Sequence, residues 1–306
     1  MKIAVITDSS SNLSFEYVRK IKNLDMMPLM ISFNKKFYRD QLEIDYDTVY
    51  KNLDKVAITT SLPDIGDFKK SIQNFISEGY TDILVITISS KLSGTYNAFK
   101  TTSKEYDNVN IHMYDSKTLS MALGYIVEEA LQSIKSNYSV SEIISRLNDL
   151  RFNNSVALYT IETLKYLRKG GRIGKVEGTI GNILAIKPII SVSDEGVYYT
   201  VSKAFKINRA LIAMRNVLKN KYGKSLIDIT IHYGTNIEKA EKISSKLSDD
   251  LHVRNINIVQ LTPVLGVHTG PEIIALIVRK VWIKYNLYLK EGEIYECRNE
   301  TTYNRK

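Results

Sequence analysis

Residues 81–106 read TDILVITISSKLSGTYNAFKTTSKEY. The first eight form an apolar run of the kind that a parallel strand buried on both faces requires. Residues 95–106 predict a helix, and between the two lie Ser89, Ser90, Ser93, Gly94 and Thr95. Small polar and flexible residues at a strand-to-helix turn admit two readings. Ser93 caps the helix, or the turn cradles an anion. A helix N-terminus has unpaired N–H groups and partial positive charge, so an anion is stabilised there. Gly94 allows a ligand to approach the backbone, and the hydroxyls of Ser93 and Thr95 add donors. The turn is neither a P-loop nor a dinucleotide fingerprint, because the glycine pattern of both is absent.

The same strand–turn–helix unit recurs on either side. KIAVITD (2–8) predicts a first strand rather than a signal peptide, and residues 11–23 a helix capped by Ser11 or Asn12. Met30–Phe33 reads as a strand, 45–53 as a helix, and 65–79 as a helix with Ile65, Phe68, Ile72, Phe75 and Ile76 in one stripe. A strand over 108–116 precedes a long helix over 120–137. Residues 139–153 follow as a helix, opened by a Ser139–Glu142 capping box. This βαβα rhythm predicts an α/β fold with a doubly wound parallel sheet in residues 1–153. Ligands of such sheets sit at the carboxyl ends of the strands. The polar turns TDSSS (7–11), SSKLSGT (89–95) and DSKTLS (115–120) all fall there.

From about residue 155 the texture changes. Strands are expected over 155–161, 187–201, 225–234 and 254–267, and helices over 161–171, 206–223 and 236–250. A second, α+β domain is expected over 154–283, with a polar tail over 284–306.

Composition narrows the classes. The chain has 306 residues, 44% hydrophobic and 25% charged, as in an ordinary globular protein. No apolar run reaches membrane-spanning length, and a single cysteine, Cys297, excludes an internal disulfide framework or cysteine-rich zinc site. No H-E-x-x-H or clustered His/Cys spacing predicts a metal. A cytoplasmic protein without cofactor is the simple expectation. The net charge of +9 is uneven: five basic residues lie in 165–175 and seven in 203–224, both stretches free of acids. Such runs suit phosphorylated ligands, a transient contact with an anionic membrane surface, or an acidic partner. No nucleic-acid-binding motif accompanies them, so nucleic acid is set aside.

Further turns carry chemistry. TTSLPD (59–64) offers three hydroxyls before a proline, with Thr60 or Ser61 as a helix cap or as donors. GVHTGP (266–271) holds His268 in a glycine-flanked loop just beyond an apolar strand, suited to donate to an anion or to act as a base. In YLRKGGRIGKVEG (166–178), Gly170 reads as an ordinary helix C-cap, whereas Arg172 and Lys175 lie beyond the helix end that basic residues favour. A hydrolase or acyltransferase pair of Ser93 and His268 stands as an alternative. Against it, Lys91 occupies the first glycine position of a nucleophile elbow. A phosphate or nucleotide binder is a third reading, resting on the basic runs.

Taken in order, TDSSSNL, TTSLPD, ISSKLSGTYNAF, YDSKTLSMALG, LKYLRKGGRIGK with GNILAIKPII, and VHTGP resemble the DegV family of bacterial fatty-acid-binding proteins, over residues 2–282. The resemblance implies two α/β domains with a long-chain fatty acid at their interface. It also implies a non-enzymatic presenter that delivers the lipid to a separate fatty acid kinase, which makes an acyl phosphate for phospholipid synthesis. Carried over, Thr60, Ser61, Ser93, Gly94, Thr95 and His268 are expected to hold the carboxylate, and Arg172 to lie near a kinase-facing or phosphate-facing surface. Three residues depart from the family pattern: Leu62 where glutamine is usual, Glu272 in place of glycine after the GP pair, and Phe205 where many members carry an arginine. Leu62 is expected to remove a polar contact, Glu272 to add bulk and charge near the carboxylate, and Phe205 to alter kinase engagement. The physics suits such a ligand. A sixteen-carbon chain buries about fourteen CH₂ groups at ~0.8 kcal/mol each, roughly 11 kcal/mol before ordering and association costs. Its carboxylate then needs donors, since it cannot enter a dry cleft unpaired.

Overall fold

The computed structural model of the protein describes residues 2–180 and 186–281. Its first half runs β1 (Ile3–Asp8), α1 (Phe15–Arg19), β2 (Leu24–Met27), β3 (Met30–Phe33), β4 (Lys36–Arg39), α2 (Tyr46–Asn52) and β5 (Thr59–Ser61). It continues with α3 (Ile65–Ser77), β6 (Asp82–Thr87), α4 (Thr95–Ser103), β7 (Asn110–Asp115), α5 (Met121–Lys135) and α6 (Val140–Asp149). A π-helical turn over Leu150–Asn154 leads into β8 (Ser155–Thr160), α7 (Lys165–Lys169), α8 (Val176–Ile180), β9 (Lys187–Val192) and β10 (Tyr198–Ala204). Then follow α9 (Ile207–Tyr222), β11 (Ile227–Tyr233), α10 (Ile237–Asp250), β12 (Val253–Gln260), α11 (Pro263–Thr269) and β13 (Ile274–Lys280). The polar tail and Cys297 lie outside the described residues.

Three sheets result. The first, in order β2-β1-β6-β7, is parallel throughout, as the βαβ rhythm requires. Its strands are covered on both faces, and alternate residues enter different cores. Ile3, Val5, Leu84 and Ile86 enter one core, while Ala4, Ile6, Ile83 and Val85 pack with Phe68, Ile72 and Phe99 of α3 and α4. The Phe68 and Phe99 rings stack at 3.9 Å. The second sheet, β10-β9-β8-β13-β11-β12, is mixed, with only β11 and β12 parallel. One face of β8 and β13 (Ala157, Tyr159, Ala275, Ile277) joins the first core. The other (Leu158, Leu276, Val278) packs with α9 and α10. Helix α5 lies between the sheets and contacts β1, β6, β8 and β13, so the two halves share one core.

In the third sheet, antiparallel β4-β3-β5, β3 is the strand expected over Met30–Phe33, whereas β4 and β5 have no counterpart in the expectations, which place a turn at 59–61. The expected strand over 254–267 also divides. It ends at Gln260, and Pro263, whose missing N–H costs nothing at a first helical position, opens α11. Caps differ too. Ser14 rather than Ser11 or Asn12 caps α1, and Asp64 rather than Thr60 or Ser61 caps α3. The Ser139–Glu142 capping box is present.

Candidate functional site

Four elements converge beside the C-terminal end of β1. Pairing of β5 with β3 sets Thr60 opposite the buried Ile31. The turn after β6 brings Ser93 and Gly94 to the start of α4. The last turn of α11 presents His268, and the turn after α7 presents Arg172. Together they line a cavity of about 240 Å³ whose lining also includes Leu29, Ile88, Leu92, Leu119, Val264 and Leu265. Ser61 and the part-exposed Leu62 also line it.

His268 Nε2 and Thr60 Oγ1 are 2.7 Å apart. Burial, reinforced by the Arg172 charge, lowers the His268 pKa to about 4, so the ring is neutral at neutral pH. Among the described residues its Nδ1 is buried without a partner. The reason is Gly170: a Cβ there would lie 2.2 Å from Nδ1. Gly170 is indeed at a helix end, with an ordinary φ of −81°, but the close approach of His268 is what demands glycine. An orphaned N–H is rarer in folded proteins than an under-used acceptor, which assigns the hydrogen to Nε2. Thr60 Oγ1 therefore accepts from His268, and its own hydrogen is free to donate into the cavity.

Gly94 occupies the N-cap of α4 and brings no side chain to it, while Ser93 Oγ accepts from Thr95 N at 3.3 Å. Ser93 Oγ also lies 2.9 Å from Thr95 Oγ1. Thr95 is fully buried behind Ser93 and does not line the cavity. Leu62 packs where a Cβ on Gly94 would fall, 3.3 Å away, so this glycine also answers to a side-chain neighbour. Two serines of the same turn have structural partners. Ser89 Oγ donates to Gly196 O at 2.8 Å, and Ser90 N donates to Asp115 Oδ1. Ser93 and His268 share no hydrogen bond, which leaves the hydrolase pair unassembled.

Arg172 donates to the carbonyls of Leu92 and Gly170, and among the described residues no carboxylate pairs with it. It lines the cavity and is itself part-exposed. Glu272 corrects its expectation: it points away, pairing with Lys239 of α10 at 2.6 Å, and does not line the cavity. Phe205 stands before α9, 75% exposed. Ser10 and Tyr198 line the cavity without having been singled out as site residues. The TDSSS turn gave a signal for Ser10, but nothing in the sequence marks Tyr198. Behind Ser10, Asp8 accepts from Ser10 N and Oγ and from Ile88 N; burial raises its pKa to about 6. Asp40, also raised to about 6 by burial, accepts from Thr262 Oγ1 and Val264 N. No group of His, Cys, Asp and Glu among the described residues forms a metal site, and no described helix is long and apolar enough to cross a membrane.

The family model described as "Uncharacterised protein, DegV family" matches residues 2–281. A DegV domain-containing protein of Clostridium acetobutylicum is 37% identical over 279 residues, covering 91% of this chain and 99% of the relative. One from Clostridium perfringens is 34% identical over 279 residues, with the same coverage. Among solved structures, a fatty-acid-binding DegV protein of Bacillus subtilis superposes with TM-score 0.81 at 25% identity, covering 92% of this chain and all of the other. A stearic-acid-binding protein of Eubacterium ventriosum gives 0.81 at 26%, covering 92% and 98%. A DegV family protein of Thermus thermophilus shares the fold with TM-score 0.85 at 24% identity, covering 92% and 100%. With the family model spanning nearly the whole chain and curated relatives above 30% identity, this chain belongs to the DegV family.

Proposed function

We propose that this protein binds a long-chain fatty acid between its two halves and presents it to a separate fatty acid kinase, with no chemistry of its own. The carrying observation is a cavity with two characters. Thr60, Ser93, Gly94 at the N-terminus of α4, His268 and Arg172 line it together with the aliphatic Leu29, Ile88, Leu92, Leu119, Val264 and Leu265. The solved relatives that bind fatty acids support the ligand class.

In this reading the carboxylate accepts from Thr60 Oγ1, held in donor orientation by the neutral His268. It also accepts from Ser93 Oγ, which turns its hydrogen outward while accepting from Thr95, and from the free N–H groups of α4. Ser61, which also lines the cavity, is a further donor. Neutral donors at a helix end hold an anion without a buried counter-charge, which would itself need desolvation. Arg172, with only carbonyl partners, retains charge that favours a more highly charged head group such as an acyl phosphate. The basic runs suit a transient approach to an anionic surface.

Organic extraction of the purified protein followed by mass spectrometry tests the ligand. A bound fatty acid is expected. Protein that is lipid-free and does not take up added palmitic or stearic acid overturns the reading. Incubating the loaded protein with a fatty acid kinase and ATP tests presentation, the expected product being acyl phosphate. Loaded protein that binds fatty acid but supports no acyl-phosphate formation retains the carrier and removes the presenter.

A further inference from the structure

His268 sits on α11, a helix of seven residues that is too short to hold its own place. Its position is set from the first half of the chain. Asn12 accepts from Thr262 N at 2.7 Å and donates to Gln260 O at 3.2 Å, and Tyr50 Oη donates to Leu261 O at 3.2 Å. These bonds hold the segment that enters the helix. Asp40, just beyond β4, holds the helix itself. Its carboxylate accepts from the hydroxyl of Thr262, the N-cap residue, and from Val264 N at 3.0 Å. The Thr262 side chain makes no cap of its own, so a residue 222 positions away caps α11 in its place.

Asp40 is fully buried, and its partners, with the Ser9 hydroxyl as the third, are all neutral donors. A carboxylate is costly to bury on such terms, and an aliphatic side chain would avoid that cost. What Asp40 supplies is a fixed start for the helix. Val264 and His268 are four residues apart, so both line the cavity from one face of α11, about 6 Å apart along its axis. The ring has little room there. Gly170 stops it on one side, where a Cβ would lie 2.2 Å from Nδ1, and Thr60 Oγ1 meets Nε2 at 2.7 Å on the other. A shift of the helix by about 1 Å takes that bond beyond hydrogen-bonding distance.

We propose that Asp40, which does not itself line the cavity, is a positioning residue of the head-group site. By capping α11 from the first half of the chain it sets where His268 meets Thr60, and so how tightly a fatty acid is held. The inference rests on the reading of the cavity as a fatty-acid site in which His268 orients Thr60.

The test is the affinity of stearic acid for wild type, Asp40→Ala, Asp40→Asn, His268→Ala and the double variant of Asp40→Ala with His268→Ala. Nitrogen NMR of the imidazoles in ligand-free protein accompanies it. Asp40→Ala should weaken binding several-fold to about tenfold, the range of one net hydrogen bond, and no more than His268→Ala does. Asp40→Asn should recover most of the loss, because its amide oxygen still accepts from Val264 N while its NH₂ donates to a turned Thr262 hydroxyl. In the His268→Ala background, Asp40→Ala should cost less than about twofold. The Nε2–H signal of His268, identified by its absence from His268→Ala, should shift or vanish in Asp40→Ala and persist in Asp40→Asn. A general loss of stability moves neither the cycle nor the signal. Should Asp40→Ala fail to fold, Thr262→Val, which removes one of the two cap bonds, carries the same expectations. A folded variant with wild-type affinity and an unmoved signal overturns the inference. So does a full loss retained in the His268→Ala background, since Asp40 would then act through Ser9, which accepts from the wall residue Leu29, rather than through His268. If stearic acid does not bind the wild type, the fatty-acid reading itself fails, and the NMR signal alone decides whether Asp40 places His268.

Discussion

Ser93 and Thr60 are expected to act through single hydrogen bonds to a charged head group. Removing one such bond costs about 1.5–3 kcal/mol, so Ser93→Ala and Thr60→Val should each weaken stearic acid binding roughly tenfold to a hundredfold. Neither side chain supports the core, so thermal unfolding should stay close to wild type; unchanged affinity in both variants would remove these residues from the site. Gly170 makes a sharper case. Its backbone is one that alanine adopts freely, yet the added Cβ would meet His268 Nδ1 at 2.2 Å. Gly170→Ala should therefore displace the imidazole, release Thr60 and lower affinity. In a His268→Ala background the same substitution should cost little. A full penalty in both backgrounds would place the strain elsewhere.

At the scale of elements, the hairpin of β9 and β10 is held to the first half by Arg151, in the π-helical turn before β8. Its guanidinium donates to the carbonyls of Ser116 and Lys117 on one side and of Val192 and Ser193 on the other. Losing a donor shared by four carbonyls, two of them in buried bonds, is expensive, about 1–3 kcal/mol for each buried one left unsatisfied. Arg151→Leu should destabilise the protein by at least about 3 kcal/mol in urea unfolding, and a loss below about 1 kcal/mol would mean that water replaces the guanidinium. Nothing in the residue pattern announced this clamp, because Arg151 sits at the end of a helical stripe like any surface arginine. The strands of the parallel sheet were legible for the opposite reason. Burial on both faces writes an unbroken apolar run such as KIAVITD. The strand β5 was not legible. It is three residues long, and its pairing with β3 is dictated by the fold rather than by Thr59–Ser61. His268 was found as a glycine-flanked histidine, but in the wrong element, since an apolar run gives no sign of where a strand stops and a short helix begins.

Across the whole molecule, buried titratable groups oppose one another in acid. His232, which accepts from Met121 N and meets Val259 O, and His268 both have pKa values lowered by burial to about 4. Their stabilising contribution is fully present above pH 6.5 and is lost as the pH falls to about 4, because the unfolded chain takes up the protons first. Asp8 and Asp40, raised by burial from 3.8 to about 6, have the opposite sign. The cost of their ionised forms is fully present above pH 6 and is relieved as the pH falls towards 3.8. Each of the four is worth about 3 kcal/mol over its window, so the two pairs nearly cancel between pH 6.5 and 4. Removing one member should expose the slope. His268→Gln eliminates a group that costs the wild type about 2 kcal/mol between pH 7 and pH 5. Whatever that variant loses in stability at pH 7, measured by urea unfolding, the deficit should shrink by about that amount at pH 5. A deficit that is the same at both values would mean that His268 titrates in the folded protein as it does in the unfolded chain. The neutral ring that orients Thr60 would then be lost below pH 6.5, and fatty-acid binding should fall with it.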